Sequence, residues 1–145
     1  EEIPELGTNA KMNEFEAAMG LCMLDDMQEL NIKRKIIYEF YKKELEGYVN
    51  FQELNKDSTQ NYSYFPIILE NKEQLKKIEK ALNEKEIYPR RYFYPSLDAL
   101  RYINPPQFCE ISRDIASRIL CLPMYAELES SDVKKICDII NKSLC

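Results

Sequence analysis

The 145-residue sequence contains no histidine, which limits the chemistry that this chain can perform alone. Ser-His-Asp and Cys-His catalysis both need an imidazole base, so neither is available within these residues. The five cysteines include no C-x-x-C pair, and their odd number does not suit a secreted disulfide framework. We therefore predict no metal or redox site, and we expect Cys22, Cys121 and Cys137, which have apolar neighbours, to pack in a core.

Long apolar runs and a strong excess of one charge are also missing. No stretch approaches the roughly 20 apolar residues that a membrane span needs, so we predict no membrane association. Lys and Arg total 20 against 25 Asp and Glu, a net charge of −5, which does not favour binding to nucleic acid. The acidic start, Glu1-Glu2-Ile3-Pro4-Glu5, is unlike a signal sequence, and we expect a cytoplasmic protein.

A glycine turn precedes a helix start near the N-terminus. Asn13 and Glu16 have the spacing of a capping box. Gly7, Asn9 and Lys11 lie in the approach, where an amide and an ammonium suit an anion such as phosphate beside the helix N-terminus. The alternative is an ordinary capped helix behind a turn.

Apolar residues recur at helical spacing in two segments, first at Met12, Phe15, Met19, Cys22 and Met23, then at Ile32, Ile36, Ile37, Phe40, Tyr41 and Leu45. This pattern predicts one buried face in each segment. Residues 24–28 fit either a bend or the middle of one long helix. Capping residues predict a further helix over 72–83 and a last one from residue 130, with inward residues Val133, Ile136, Cys137, Ile140 and Leu144.

Strand signals are fewer. Residues 62–69 predict a strand, which Pro66 places at an edge or a bulge, and residues 87–94 are a candidate for another. A helix from about Gln107, with Ile111, Ile115, Ile119 and Leu120 on one side, precedes a buried extended piece at 121–124. The predicted fold is α/β, an α+β-like small domain with an N-terminal helical arm over 1–28 and a short, mainly antiparallel sheet packed against helices.

The sequence resembles the StrS/DegT-type sugar aminotransferases, pyridoxal-phosphate enzymes of aminotransferase fold type I. Five segments carry the resemblance, in the family's order: GTNAKMNEFEAAMGLCML, NIKRKIIYEFYKKELEG, NYSYFPIIL, IYPRRYFYPSL and ASRILCLPMYAEL. Practically the whole chain is covered. The resemblance implies that residues 1–145 are the C-terminal small domain of such an enzyme, without the large domain that provides the cofactor-bearing lysine.

What the resemblance implies about function follows residue by residue. Asn9 matches an asparagine that reaches the pyridoxal phosphate of the neighbouring subunit, and Lys11 stands where many relatives have arginine. Arg91, Tyr92 and Tyr94 face a nucleotide-sugar substrate. The complete enzyme is a homodimer with a shared active site, which transfers an amino group from glutamate to a keto sugar. None of the residues of this chain takes a catalytic role, so we predict that the chain alone is inactive.

Two further residues of the same loop, Arg90 and Asp98, belong to this second candidate site. Tyrosines packed on a sheet edge, with arginines in water, are the alternative interpretation of the loop. A related pyridoxal-phosphate sugar dehydratase fits the resemblance too, since the position that separates it from a transaminase is outside this sequence. The alternative from another class is a free-standing α+β interaction or small-molecule-binding module, although the absence of an initiator methionine leads us to expect part of a longer protein.

Overall fold

The computed structural model describes residues 11–144, and its elements alternate between helices and short strands. In chain order they are α1 (Glu14–Leu45), β1 (Asn50–Phe51), β2 (Phe65–Ile68), α2 (Lys72–Asn83), a 3-10 turn (Leu97–Ala99), α3 (Glu110–Arg118), β3 (Ile119–Leu122) and α4 (Ser130–Leu144). The strands form one antiparallel sheet in the order β1-β2-β3. The predicted α/β fold, with helices packed against a short antiparallel sheet, is confirmed.

Pro66 lies in the central strand, so the prediction of an edge position or a bulge is wrong. It stands opposite Cys121 of β3, whose N–H and C=O both bond to Arg90 on the far side. Pro66 and Cys121 are therefore a non-hydrogen-bonded pair, and the nitrogen of Pro66 faces β1. Because β1 ends at Phe51, opposite Ile67, the missing N–H of Pro66 costs the sheet no hydrogen bond.

The core lies between the sheet and helices α1, α2 and α4. Phe65 and Ile67 of β2 are buried, and the ring of Phe65 stacks on Tyr41 of α1 with 4.9 Å between centroids. Helices α2 and α4 pack against each other and α4 also contacts α1. The fully buried positions of these helices include Leu45, Leu75, Ile78, Leu82, Val133, Cys137 and Ile140. The predictions for residues 72–83 and for the inward positions Val133, Ile136, Cys137 and Ile140 of the last helix are confirmed.

Helix α1 is a single unbroken helix of 32 residues, which answers the question left open at residues 24–28. Its second half contributes Ile37, Tyr41 and Leu45 to the core, whereas Ile32 and Ile36 are exposed. Only part of the apolar face predicted for the second segment, Ile32 to Leu45, is therefore buried. Of the arm predicted over residues 1–28, residues 11–28 are described, and none of them is buried.

The apolar face predicted for the first segment, Met12 to Met23, does not pack in the core that the described residues form. Phe15 is 86% exposed, Met12, Met19 and Met23 are also exposed, and so is the thiol of Cys22. At about 100° per residue, Leu21 lies nearly opposite Met19 and about 120° around the helix from Phe15. Apolar side chains thus surround this part of α1, a composition typical of a helix covered on several sides. The core prediction is wrong for Cys22 and confirmed for Cys121 and Cys137.

Helix α3 passes into β3 without a loop, because Ile119 already has extended dihedrals, φ −91° and ψ 141°. Ile119 and Leu120 therefore belong to the strand, and their prediction as helix residues is wrong. Ile111, at the start of the same predicted helix side, is 80% exposed. In the candidate strand over 87–94, Arg90 alone pairs with the sheet, opposite Cys121.

Candidate functional site

The N-terminal candidate site is described only in part, because Gly7 and Asn9 lie outside the described residues. Lys11 is exposed and precedes the capped start of α1. The amide N–H of Glu16 donates to Asn13 Oδ1 at 3.0 Å, and the N–H of Asn13 donates to Glu16 Oε2 at 2.8 Å. The predicted capping box is confirmed.

This capping box limits the way in which an anion can bind here. The carboxylate of Glu16 already accepts from the N–H of Asn13 at the helix start. Glu14 adds a second acid in the first turn. Residues 14–29 contain no Lys or Arg. Lys11 is therefore the cation that this end of α1 offers, and the described residues fit one contact with a phosphate group rather than a complete cofactor site.

The second candidate site is the Arg90–Tyr94 segment, which runs beside the outer edge of β3. The N–H of Arg90 donates to Cys121 O at 2.9 Å, and the N–H of Cys121 donates to Arg90 O at 2.8 Å. In extended backbone, alternate side chains point to opposite faces. This bridge therefore places Arg90 and Tyr92 on one face and Arg91 on the other.

The guanidinium of Arg91 is held by the protein itself. Nη2 donates to Ala116 O at 3.2 Å and to Ser117 O at 3.3 Å, two carbonyls in the last turn of α3. The guanidinium carbon also lies 3.7 Å from the ring centroid of Tyr94. Its Nε is buried and makes no hydrogen bond. Arg91 thus caps the C-terminal end of α3, where a positive charge is favourable.

Arg90, which is exposed, pairs with the half-buried Tyr92. Arg90 Nη1 donates to the hydroxyl of Tyr92 at 2.7 Å, and its guanidinium carbon is 5.9 Å from the centroid of that ring. The ring of Tyr64 meets Tyr92 edge to face, with 5.5 Å between centroids. A guanidinium with one neutral acceptor and neighbouring aromatic rings retains donors for an external anion.

Two cavities meet at this pair. The tyrosine cavity, of about 330 Å³, is lined by Ser63, Tyr64, Tyr88, Arg90, Tyr92, Cys121, Leu122, Pro123, Met124 and Tyr125. The Arg91 cavity, of about 400 Å³, is lined by Glu79, Pro89, Arg90, Arg91, Tyr92 and Tyr94. The three predicted substrate residues, Arg91, Tyr92 and Tyr94, are therefore brought together at the second cavity. Arg90 and Tyr92 line both.

Sequence reasoning missed Tyr64, Tyr88 and Tyr125. A signal for one of them was present, since Tyr88, Arg90 and Tyr92 alternate and would share one face of an extended segment. Tyr64 and Tyr125 come from the approach to β2 and the end of β3, and only the antiparallel pairing of these strands brings them close. Cys121 also lines this cavity, but burial raises the pKa of its thiol, so it is a poor nucleophile.

Asp98 lines neither cavity and anchors the loop to α3. Its side chain is 6% exposed and accepts from Ser96 Oγ at 2.5 Å, Cys109 N at 2.9 Å and Arg113 Nε at 2.6 Å. These donors, led by the Ser96 hydroxyl, lower the pKa of the Asp98 carboxyl to about 2. Because Ser96 donates to Asp98, the Ser112 hydroxyl donates to Ser96 at 2.7 Å. Asp98 therefore stabilises this loop by accepting hydrogen bonds from three of its neighbours.

Residues 11–144 were also compared with the requirements of metal binding and of membrane crossing. No group of three or more acidic, cysteine or histidine side chains there is arranged to hold a metal ion. In the same part of the chain, none of the helices combines the length and apolar character that a membrane crossing requires.

Comparison with known proteins identifies the family to which the sequence is similar. The model of the DegT/DnrJ/EryC1/StrS aminotransferase family matches residues 1–141. A dTDP-4-amino-4,6-dideoxy-D-glucose transaminase of Shigella dysenteriae is 35% identical over 144 residues, covering 94% of this chain and 39% of that protein. The Escherichia coli transaminase of the same name is 31% identical over 148 residues, covering 92% of this chain and 38% of that protein.

Solved structures agree on the fold. A DegT/DnrJ/EryC1/StrS aminotransferase from Brucella abortus superposes with a TM-score of 0.80 at 24% identity, covering 94% of this chain and 37% of that one. The aminotransferase TlmJ from Streptoalloteichus hindustanus gives 0.82 at 20% identity, covering 99% and 39%. The chain thus spans about two fifths of the length of its relatives. By the match across residues 1–141, the chain belongs to the DegT/DnrJ/EryC1/StrS aminotransferase family.

Proposed function

We propose that residues 1–145 are the C-terminal small domain of a pyridoxal-phosphate-dependent aminotransferase, with residues 1–28 as an arm toward a preceding large domain. The complete enzyme transfers an amino group from glutamate to a keto sugar carried on a nucleoside diphosphate. The observation that supports this most strongly is the family match over residues 1–141, together with a dTDP-sugar transaminase at 35% identity. Family membership favours this function over a free-standing binding module.

Pyridoxal phosphate supplies the electron-withdrawing ring that makes amino-group transfer possible. In this proposal Lys11 and Asn9 hold its phosphate, and the support within the described residues is the exposed ammonium of Lys11 beside the start of α1. Lysine is a flexible point charge, so it adds attraction without the two-pronged geometry of arginine. In this proposal, none of the described residues, 11–144, holds or moves the reacting proton.

The substrate role goes to the Arg90–Tyr94 segment. Tyr92 and Tyr94 provide hydroxyl groups for sugar or phosphate oxygens, and Arg91 provides a positive charge beside the Arg91 cavity. Their convergence at one cavity supports the assignment of Arg91, Tyr92 and Tyr94 to the nucleotide sugar.

The arm supports a shared active site. Phe15, Met19 and Leu21 are each at least two thirds exposed, and apolar side chains on several sides of a helix need cover. In this proposal two subunits form a homodimer in which Asn9 and Lys11 of one subunit reach the cofactor of the other. The cysteine content, odd in number and without paired spacing, supports a cytoplasmic location, which fractionation of cells would test.

An amino-transfer assay on the complete enzyme tests the function. With glutamate and the keto form of the dTDP-linked sugar, the enzyme is expected to produce the amino sugar and 2-oxoglutarate, both identified by mass spectrometry. The 145-residue chain with added pyridoxal phosphate serves as the control and is expected to produce neither. Turnover by the short chain, or loss of a hydroxyl group from the sugar without amino transfer, would contradict the proposal.

A further inference from the structure

The substrate loop, residues 91–98, is attached to α3 at both of its ends. At one end, the guanidinium of Arg91 donates to carbonyls in the last turn of α3, and these bonds keep its charge beside the Arg91 cavity. At the other end, Asp98 Oδ2 accepts from Cys109 N at 2.9 Å and from Arg113 Nε at 2.6 Å, at the start of α3. The loop therefore runs along α3 from its last turn to its first.

The part of the loop between these attachments has little other support. Beyond Arg90, no described residue of the loop pairs with a strand. Phe93 and Leu97 are 67% and 60% exposed, so neither fixes the loop in the core. Tyr92 and Tyr94 lie in this part of the loop. The positions of their hydroxyl groups therefore depend on the attachments to α3.

Arg113 holds both the side chain and the main chain of Asp98. Besides the bond from Nε to the carboxylate, Nη2 donates to Asp98 O at 3.4 Å and to Gln107 O at 3.2 Å. The guanidinium carbon lies 4.4 Å from the ring centroid of Phe108. The side chain of Asp98 is 6% exposed, and removal of one partner of a desolvated ion pair leaves the other without compensation. The two residues therefore act as one unit.

We propose that Asp98 and Arg113 are positioning residues for the nucleotide-sugar substrate. They line neither cavity, so they act through Tyr92 and Tyr94, which line the Arg91 cavity and whose hydroxyl groups they keep in place. A displacement of a binding group by about 1 Å is enough to weaken its interaction with a ligand strongly. This inference rests on the proposed function, which assigns the two tyrosines to the substrate.

Steady-state kinetics of the complete enzyme tests the role of Asp98. Asp98→Ala is expected to raise the KM of the nucleotide sugar about tenfold, because hydrogen bonds to displaced hydroxyl groups are lost. The KM of glutamate is expected to be unchanged and kcat to stay within about twofold, since the interaction removed concerns binding. An enzyme that is merely less stable has fewer active molecules, which lowers kcat and leaves both KM values unchanged.

Two further variants test whether the pair acts as a unit. Arg113→Ala is expected to reproduce the effect of Asp98→Ala, and the double variant is expected to show no larger rise in KM than either single variant. Arg113→Ala also carries the test if Asp98→Ala does not fold. In Asp98→Asn the amide oxygen still accepts from Cys109 and Arg113, so this conservative variant is expected to keep the KM of the sugar within about threefold of the parent.

The matched control is Asp114→Ala. Asp114 also belongs to α3 and pairs with an arginine, at 2.7 Å from Arg118 Nη2, but it makes no hydrogen bond to the substrate loop. Both KM values are expected to match those of the parent. An equal rise in the KM of the sugar in Asp98→Ala and Asp114→Ala, an equal rise in both KM values of Asp98→Ala, or a loss confined to kcat would overturn the positioning role.

Limited digestion with chymotrypsin tests the loop without turnover. In the complete enzyme without substrate, cleavage after Phe93, identified by mass spectrometry, is expected to be about tenfold faster in Asp98→Ala than in the parent or in Asp114→Ala, because cleavage follows the population of the open loop. Thermal melting checks that each variant is folded. Equal cleavage rates, in an enzyme whose parent transfers amino groups, would overturn the positioning role and leave the proposed function in place. Absence of amino transfer by the parent would overturn the proposed function and the substrate role of the pair with it, even where the cleavage rates differ.

Discussion

At the scale of the residue, two arginines that are adjacent in the sequence serve different purposes. Arg90 faces a cavity with an exposed guanidinium, and Arg91 is bound to the end of a helix. The sequence predicted a basic pair beside tyrosines but could not divide their roles. That division depends on the side of the backbone that pairs with Cys121, and the pairing is a contact between residues 31 positions apart.

The Asp98 carboxylate makes the free energy of unfolding depend on pH in the acidic range. Its pKa of about 2 in the folded protein is below its ordinary value of 3.8, so this carboxylate contributes stability that is complete above about pH 4 and is lost as the pH falls toward 2. We expect the free energy of unfolding of the parent to fall over this window, and Asp98→Asn to show a shallower fall. Urea denaturation at a series of pH values measures both.

The matched control for Asp98 is Asp57→Asn, in an exposed loop. It is expected to keep the slope of the parent between pH 4 and pH 2. If Asp98→Asn kept that slope as well, the hydrogen bonds from Ser96, Cys109 and Arg113 would not be the source of the acid sensitivity.

At the scale of the element, α2 ends in a conformation that does not suit its sequence. Glu86 has φ of 60°, while its N–H bonds to Asn83 O at 3.0 Å and the N–H of Ile87 bonds to Leu82 O at 3.1 Å. A side chain other than glycine is strained in this left-handed region. We expect Glu86→Gly to raise the free energy of unfolding by about 0.5–1 kcal/mol, as measured by urea denaturation.

Glu84 provides the comparison for this helix end, because its φ of −63° is ordinary helical backbone. Glycine there gains no relief of strain and adds entropy to the unfolded chain, so Glu84→Gly is expected to lower the free energy of unfolding. Stabilisation by both substitutions, or by neither, would contradict the role given to the left-handed residue.

The elements that sequence patterns predicted well are those with local signals. Helix α2 has a capping asparagine and apolar residues at helical spacing, and its bounds at 72 and 83 are the predicted ones. Two predictions were wrong at positions where pairing with another strand determines the structure. Ile119 and Leu120 continue the spacing of α3 but pair with β2, and Pro66 is tolerated in a central strand because β1 stops short of it. Strand partners are not encoded locally, so the sequence could not reveal either outcome.

At the scale of the whole molecule, the chain divides into a core that packs on itself and an arm that does not. The same apolar periodicity marked both, because periodicity identifies a helix side that needs cover and not what covers it. Tyr41 and Leu45 find that cover within the described residues, whereas Phe15 and Met19 do not. The membership of a family whose proteins are about two and a half times longer agrees with this division.

A pair of phenylalanines tests the division. Phe65 is 1% exposed and Phe15 is 86% exposed. Phe65→Ala is expected to lower the free energy of unfolding of the 145-residue chain by about 3–5 kcal/mol, through lost burial and a cavity. Phe15→Ala is expected to change it by less than about 0.5 kcal/mol, with denaturant unfolding as the measurement. A large loss in Phe15→Ala would mean that the arm folds onto the core.

The unbroken course of α1 has a mechanical consequence. Its 32 residues span about 48 Å, and it contains neither a proline nor a change of helix type that would act as a joint. A tilt of the core by about 10° around the last turn of α1 would sweep Lys11 through about 8 Å. The helix is therefore rigid along its length, so a small rotation at one end produces a large displacement at the other.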